Sequence, residues 1–180
     1  MRRMSSVCVF LSSSNGRPND VAAVTALARE LARRDQTLVY GGASRGLMGV
    51  LADGVIAAGG RAIGVIPQAL VDLEVAHRGL TELHVVAHMH ARKAMMFTLA
   101  DAFVVAPGGF GTLEEAFEIL TGLQLAYHAK PIVFLDVDGF WSGMTTFLDH
   151  AVAAGVLRSE VRALFRVAST ASAALDALRA

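Results

Sequence analysis

The feature that most constrains this chain is a series of short apolar runs, each ending in small or hydroxylated residues that lead into a helix-like segment. Residues 5–11, 37–40, 61–66, 102–106 and 131–135 are apolar almost throughout. A strand with one wet face alternates apolar with polar residues, so a strand that does not alternate must be covered on both faces. Between these runs lie single segments with helical periodicity, at about 20–34, 49–58, 89–100, 112–127 and 140–154. Shorter strands are expected near 83–86 and 165–168, with a closing helix from 170. Strands joined one at a time by helices imply a parallel sheet, and covering both faces makes it a Rossmann-like, doubly wound α/β fold. No linker or low-complexity stretch interrupts the pattern. The whole of 1–180 therefore reads as one domain, with 54% hydrophobic residues to fill its core.

Open parallel sheets bind ligands beyond the carboxyl ends of their strands. Three strand-to-helix junctions carry suitable residues: 12–16, 41–49 and 107–115. The third reads Pro107-Gly108-Gly109-Phe110-Gly111-Thr112-Leu113-Glu114-Glu115. Glycines allow a sharp turn and close approach of backbone N–H groups to an anion, and the dipole of the following helix adds partial positive charge. Thr112 can cap that helix or donate to a ligand. Glu114 and Glu115, read as first-turn acids, repel a phosphate but suit a sugar ring losing its leaving group. The loop thus points to a phosphorylated sugar and to chemistry on it. There is no G-x-G-x-x-G and no lysine directly after a glycine, which removes the dinucleotide fingerprint and the P-loop.

The second cluster is Met89-His90-Ala91-Arg92-Lys93, at the start of a helix. Cations there oppose the dipole, so an anion should compensate them. Arg92 shares a stripe with Met95, Met96 and Leu99 and is expected to face the sheet. Adjacent strand ends would bring Arg92 and the 107–115 helix into one crevice. A carboxylate beside an arginine is expected to stay ionised, able to stabilise an oxocarbenium ion or activate water but poor as a general acid.

Equal counts of basic and acidic residues, 16 each, argue against nucleic acid or a membrane surface as partner. No apolar run approaches the ~18 residues of a membrane span, and Arg2-Arg3 precedes too short a run for a signal peptide. The single Cys8 reads as a small core hydrophobe, and the expected location is cytoplasmic. His84, His88 and His90 lack the spacing of a metal site. The polar loop 67–79, with Asp72, Glu74, His77 and Arg78, reads as a lid, a dimer contact or plain surface.

The motif Pro107-Gly-Gly-x-Gly-Thr-x-x-Glu115, preceded by Met89-x-x-Arg92-Lys93, resembles the LONELY GUY family of cytokinin riboside 5′-monophosphate phosphoribohydrolases. The similarity extends to Tyr40-Gly41-Gly42, Gly46-Leu47-Met48-Gly49, Glu74-Val75-Ala76-His77 and Lys130-Pro131. It implies a dimeric Rossmann-like enzyme that cleaves nucleoside 5′-monophosphates to free base and ribose 5-phosphate, without cofactor or metal. By the same resemblance Arg92 and Glu115 match the catalytic pair. Lys93 and Gly108, Gly109, Phe110, Gly111 and Thr112 match phosphate and ribose contacts. Glu74 matches a residue near the base and Thr121 one at the edge of the site, while Ser13, Gly42, Leu113 and Glu114 complete the expected substrate shell. A homodimer is expected from the resemblance and from the apolar helix segment Met95-Met96-Phe97-Leu99. The chain departs from the family at Leu11-Ser12-Ser13 and at Ala43, where relatives carry Cys-Gly-Ser and a third glycine. The family was long labelled lysine decarboxylase, yet neither lysine, Lys93 nor Lys130, sits in a pyridoxal phosphate motif. A non-catalytic carrier of nucleotide or molybdenum cofactor is the alternative on the same fold.

Overall fold

The structure, a computed structural model, describes residues 4–73 and 75–179. Its strands are β1 (Ser6–Phe10), β2 (Thr37–Tyr40), β3 (Ala62–Pro67), β4 (Glu82–Val86), β5 (Ala102–Val105), β6 (Ile132–Leu135) and β7 (Arg166–Ala168). The helices are α1 (Pro18–Arg33), α2 (Gly46–Ala57), α3 (Gln68–Asp72), α4 (Met89–Leu99), α5 (Phe110–Gln124), α6 (Ser142–Ala153), α7 (Ser159–Arg162) and α8 (Ala171–Ala177). All strands pair in parallel, in the order β4-β3-β2-β1-β5-β6-β7. The chain winds outward from β1 to β4, then returns past it to β5 and winds the other way. The switch point falls between β1 and β5, where the loops leaving the two strands part and open a crevice.

The apolar strands divide their side chains between two cores. Val7 and Val9 of β1, with Ala102 and Val104 of β5, join the core under α1, α2 and α8. Cys8, Phe10, Phe103 and Val105 point the other way and meet Met96 of α4 and Ala116 and Ile119 of α5. Every one of these is buried. This is the period of two written without a polar residue, and it accounts for runs that show no alternation. No described helix is long and apolar enough to cross a membrane.

Local chemistry sets the entries to the site. α1 begins at Pro18, with Arg17 and Asp20 closing a box in which the Arg17 amide donates to Asp20 Oδ2 at 2.8 Å. α2 begins at Gly46, with φ of +57°, and a Cβ there would stand 2.2 Å from the Ser13 carbonyl oxygen. Only glycine lets α2 pack this tightly against the 12–14 loop. Gly46→Ala is expected to destabilise the fold by at least 1–3 kcal/mol, readable as a lower urea midpoint.

Most element boundaries fall within two residues of those expected. Two short helices were not anticipated: α3 lies in the stretch 67–79 read as a loop, and α7 lies between the segments expected at 140–154 and 165–168. α5 starts at Phe110 rather than 112, so Glu114 and Glu115 stand in its second turn and not its first.

Candidate active site

A cavity of about 600 Å³ opens at the switch point, walled by the loops after β1, β2, β3 and β5. One end is made by the start of α5. Gly109 is its N-cap and no side chain caps it. The amides of Phe110, Gly111 and Thr112 therefore have no intrahelical acceptor. A Cβ added to Gly109 or Gly111 would meet no atom within 4 Å, so what these glycines provide is open room in front of the amides. Thr112 is buried, lines the cavity, and makes no hydrogen bond through Oγ1 among the described residues. Directional donors, a helix dipole and space for a ligand suit this end to seat an anion. Gly108 lies behind it, packed on Thr112, where a Cβ would sit 2.1 Å from Oγ1.

The opposite end is apolar. Met48 of α2, Leu70 of α3, Leu73, Val75 and Met89 face the same cavity from the β2, β3 and β4 side of the sheet. Arg45 and Ser12, Ser13 and Ser14 line its mouth. The Arg45 carbonyl accepts from the Gly49 amide, while its guanidinium makes no hydrogen bond or ion pair among the described residues.

Arg92 lies on the floor between the two ends. It is 8% exposed. Its Nε donates to the Val65 carbonyl at 3.1 Å and its Nη2 to the Gly41 carbonyl at 3.0 Å. A guanidinium has five N–H groups, so others remain for a ligand. The helical spacing that put Arg92 on the sheet side of α4 is met, but its fixed partners are carbonyls at the ends of β2 and β3 rather than carboxylates. A Cβ at Gly41 would fall 1.7 Å from Arg92 Nη2. Gly41→Ala is thus expected to push the guanidinium off its carbonyl while leaving the sheet intact, lowering kcat/KM about tenfold or more with little change in Tm.

Glu115 stands in the wall shared by this cavity and a second one of about 410 Å³ lined also by His90, Lys93, Phe97, Glu118, Tyr127 and His128. Burial pushes its carboxyl up to about 7, outweighing the opposing pull of Arg92, and Glu114 adds to the rise. This corrects the expectation of a carboxylate held ionised by arginine. Removal from water costs an anion more than a guanidinium committed to carbonyls and beyond ion-pair range returns. A group poised there exchanges its proton at neutral pH.

Lys93 is turned away from the anion seat. Its Nζ pairs with Glu114 and, at 2.7 Å, with Glu118, both on the outer side of α5. These two carboxylates hold its ammonium above the ordinary lysine range. The cavity also gathers Ser13, Gly109, Phe110, Gly111, Thr112, Arg92, Glu114 and Glu115. Leu113 packs into the core and Gly42, with φ of +74°, lies against Val65 and Ile66, both behind the wall. Thr121 sits two turns along α5, in a groove with Phe117, Leu148 and Phe165, because six residues of helix carry it round from Glu115. Glu74 lies outside the described residues. Arg45, Met48, Leu70, Leu73 and Met89 were not anticipated. Apolar residues after a strand read as core until the chain's path shows a cavity beside them.

The fold and cleft define a doubly wound α/β protein with a cavity at its switch point. Residues 48–178 match the family described as "Possible lysine decarboxylase". The chain is 42% identical over 179 residues to cytokinin riboside 5′-monophosphate phosphoribohydrolase LOG5 of Arabidopsis thaliana, covering 99% of this chain and 78% of that protein. It is also 42% identical over 176 residues to the cytokinin riboside 5′-monophosphate phosphoribohydrolase of Rhodococcoides fascians, covering 97% and 89%. The protein belongs to this phosphoribohydrolase family, LONELY GUY. The fold alone is shared with the molybdenum cofactor binding protein of Rippkaea orientalis, at a TM-score of 0.75 and 18% identity over 99% of this chain and 98% of that one.

Proposed function

We propose that residues 1–180 form a hydrolase domain that cleaves the N-glycosidic bond of nucleoside 5′-monophosphates, AMP and N6-modified cytokinin riboside monophosphates, to free base and ribose 5-phosphate. The observation that carries this reading is the two-ended cavity: an uncapped helix start at one end, an apolar slot at the other, and Glu115 with Arg92 between them. A nucleoside monophosphate has the same order of parts. The names of the relatives point to the same reaction.

In this mechanism the 5′-phosphate rests on the amides of Phe110, Gly111 and Thr112, with Thr112 Oγ1 donating to it. Binding free energy at this remote group orients the ribose over Glu115. As the C1′–N bond breaks, its electron pair passes to the base while positive charge grows on the ribose. Water attacks C1′ and Glu115 takes its proton; the departing base takes a proton from solvent, to which Glu115 then releases its own. Arg92 offers its remaining N–H groups to the negative charge. A product assay with AMP and N6-isopentenyl-AMP side by side tests the reading: free base and ribose 5-phosphate support it, whereas tight binding with no product favours a carrier. Adenosine, lacking the anchor, should show kcat/KM at least about a hundredfold below AMP. Comparable values for the two would remove the phosphate assignment.

The same reading takes the protein as a cytoplasmic homodimer. In the helix first expected to drive association Met96 is buried, and Met95, Phe97 and Leu99 are partly buried against the core, which leaves less apolar surface for a partner than the sequence suggested. Further support comes from the exposed Phe110, Phe117, Leu125 and Tyr127 along and just beyond α5. Light scattering at micromolar concentration should return twice the chain mass. A fully active monomer would rule the dimer out.

A further inference from the structure

The segment from Val75 to Gly79 is tied to the rest of the cavity wall in an unusual way, through one buried histidine. Its main chain crosses the loop after β2: the His77 amide donates to the Gly42 carbonyl at 2.9 Å, the Ser44 amide donates to the Val75 carbonyl at 2.9 Å, and Ala43 and Ala76 form an isolated antiparallel bridge. The His77 side chain then reaches past this crossing to α2. Its Nδ1 accepts from the Gly79 amide at 3.0 Å, and its Nε2 lies 2.9 Å from Asp53 Oδ1. With Nδ1 serving as acceptor, the ring proton sits on Nε2 and is donated to Asp53. Both nitrogens of a side chain that is 10% exposed are therefore committed.

What this strap holds bears directly on the site. Val75, together with Leu70 and Leu73 just before it, forms the apolar end of the cavity. Gly42, on which the segment rests, follows Gly41, whose carbonyl receives Arg92 Nη2. The His77–Asp53 link thus joins the apolar wall to the loop that orients Arg92, and neither of its two side chains lines the cavity. A wall left loose would have to be ordered each time a substrate entered, and that cost falls on binding.

We propose that His77, held by Asp53, is a positioning residue that keeps the apolar wall of the nucleotide cavity closed on the Gly41–Ser44 loop before substrate arrives. The proposal rests on the nucleotide reading above. It places the effect of His77 on KM and leaves the chemical step, which belongs to Glu115, unchanged.

The test is steady-state hydrolysis of AMP by wild type, His77→Ala, Asp53→Ala, the double variant and His77→Gln, with Tm measured on each. Loss of the strap should raise KM about tenfold in both single variants while kcat stays within about twofold. The double variant should resemble the weaker single variant, because the two groups act as one link. His77→Gln, which keeps a donor for Asp53, should recover part of the loss. A merely structural role would lower Tm and the active fraction and leave KM where it was, which overturns the proposal. Additive effects in the double variant overturn the link to Asp53. Asp53 is exposed on α2, so Asp53→Ala carries the test if His77→Ala does not fold. Wild type that hydrolyses AMP with these variants unchanged in KM sinks this proposal alone. Wild type that neither binds nor hydrolyses AMP sinks the nucleotide reading with it.

Discussion

Glu115→Gln should lower kcat for AMP by about 10²–10³, with KM changed little. The amide keeps the shape of the side chain but can neither accept the water's proton nor face a developing oxocarbenium ion with negative charge. The environment of the carboxyl adds a pH signature. Because burial lifts it to about 7, kcat/KM of the wild type should rise with pH through neutrality as the carboxylate forms. A carboxylate kept ionised by Arg92 would instead give a flat profile down to the ordinary glutamate range. Glu114 is the comparison: its side chain is 57% exposed and paired with Lys93, so Glu114→Gln should cost much less. Near-normal turnover in Glu115→Gln, with a large loss in Glu114→Gln, would show that the wrong neighbour had been chosen; normal turnover in both would end the hydrolase mechanism.

The sheet was legible because its signal is local and redundant. Val7 to Phe10 and Ala102 to Val105 each repeat an apolar residue on both faces of the pleat, and no other arrangement buries both. α3 and α7 were not legible, since five and four residues are too few to show a helical period. The start of α5 was placed late for a related reason. Thr112 looks like a cap, yet it lies inside the helix, and an uncapped Gly109 begins it. That one shift moves the two acids out of the first turn and leaves three amides facing the cavity.

The site divides in the same way between local and distant causes. Arg92 could be placed by helical spacing, because its neighbours at three, four and seven residues define the buried stripe. Its partners could not, since the carbonyls of Gly41 and Val65 belong to strands far away in sequence. Lys93 is next to Arg92 in the chain, but a step of about 100° around α4 turns it towards Glu114 and Glu118. Adjacent residues on a helix do not share a face, and the sequence motif that joins these two cations conceals their different surroundings. For Glu115 the missing quantity was depth. A sequence shows which charges are near a carboxyl but not how much water it has lost, and here loss of water prevails.

That depth carries a second large expectation: Glu115→Gln, slow as a catalyst, should be more stable than wild type at alkaline pH. The folded carboxyl titrates at about 7 and its unfolded counterpart near 4.5, so between those values the folded state binds more protons. Stability then falls as pH rises through this window, and the full penalty is present above pH 7. A shift of that size corresponds to at most about 3 kcal/mol, reduced by whatever solvation the two flanking cavities restore to the carboxylate. Glutamine has no proton to lose, so its stability should lack this slope. In thermal unfolding the two proteins should coincide near pH 4 and separate by about 5–10 °C at pH 8, with the variant higher. Equal Tm values at pH 8 would mean that the carboxylate is well solvated or well paired in the folded state. The acid limb assigned to Glu115 in the activity profile would then require another group. If the gap does appear, Glu115 occupies a position where an amide folds better, and its charge costs the fold stability that the proposed reaction would put to use.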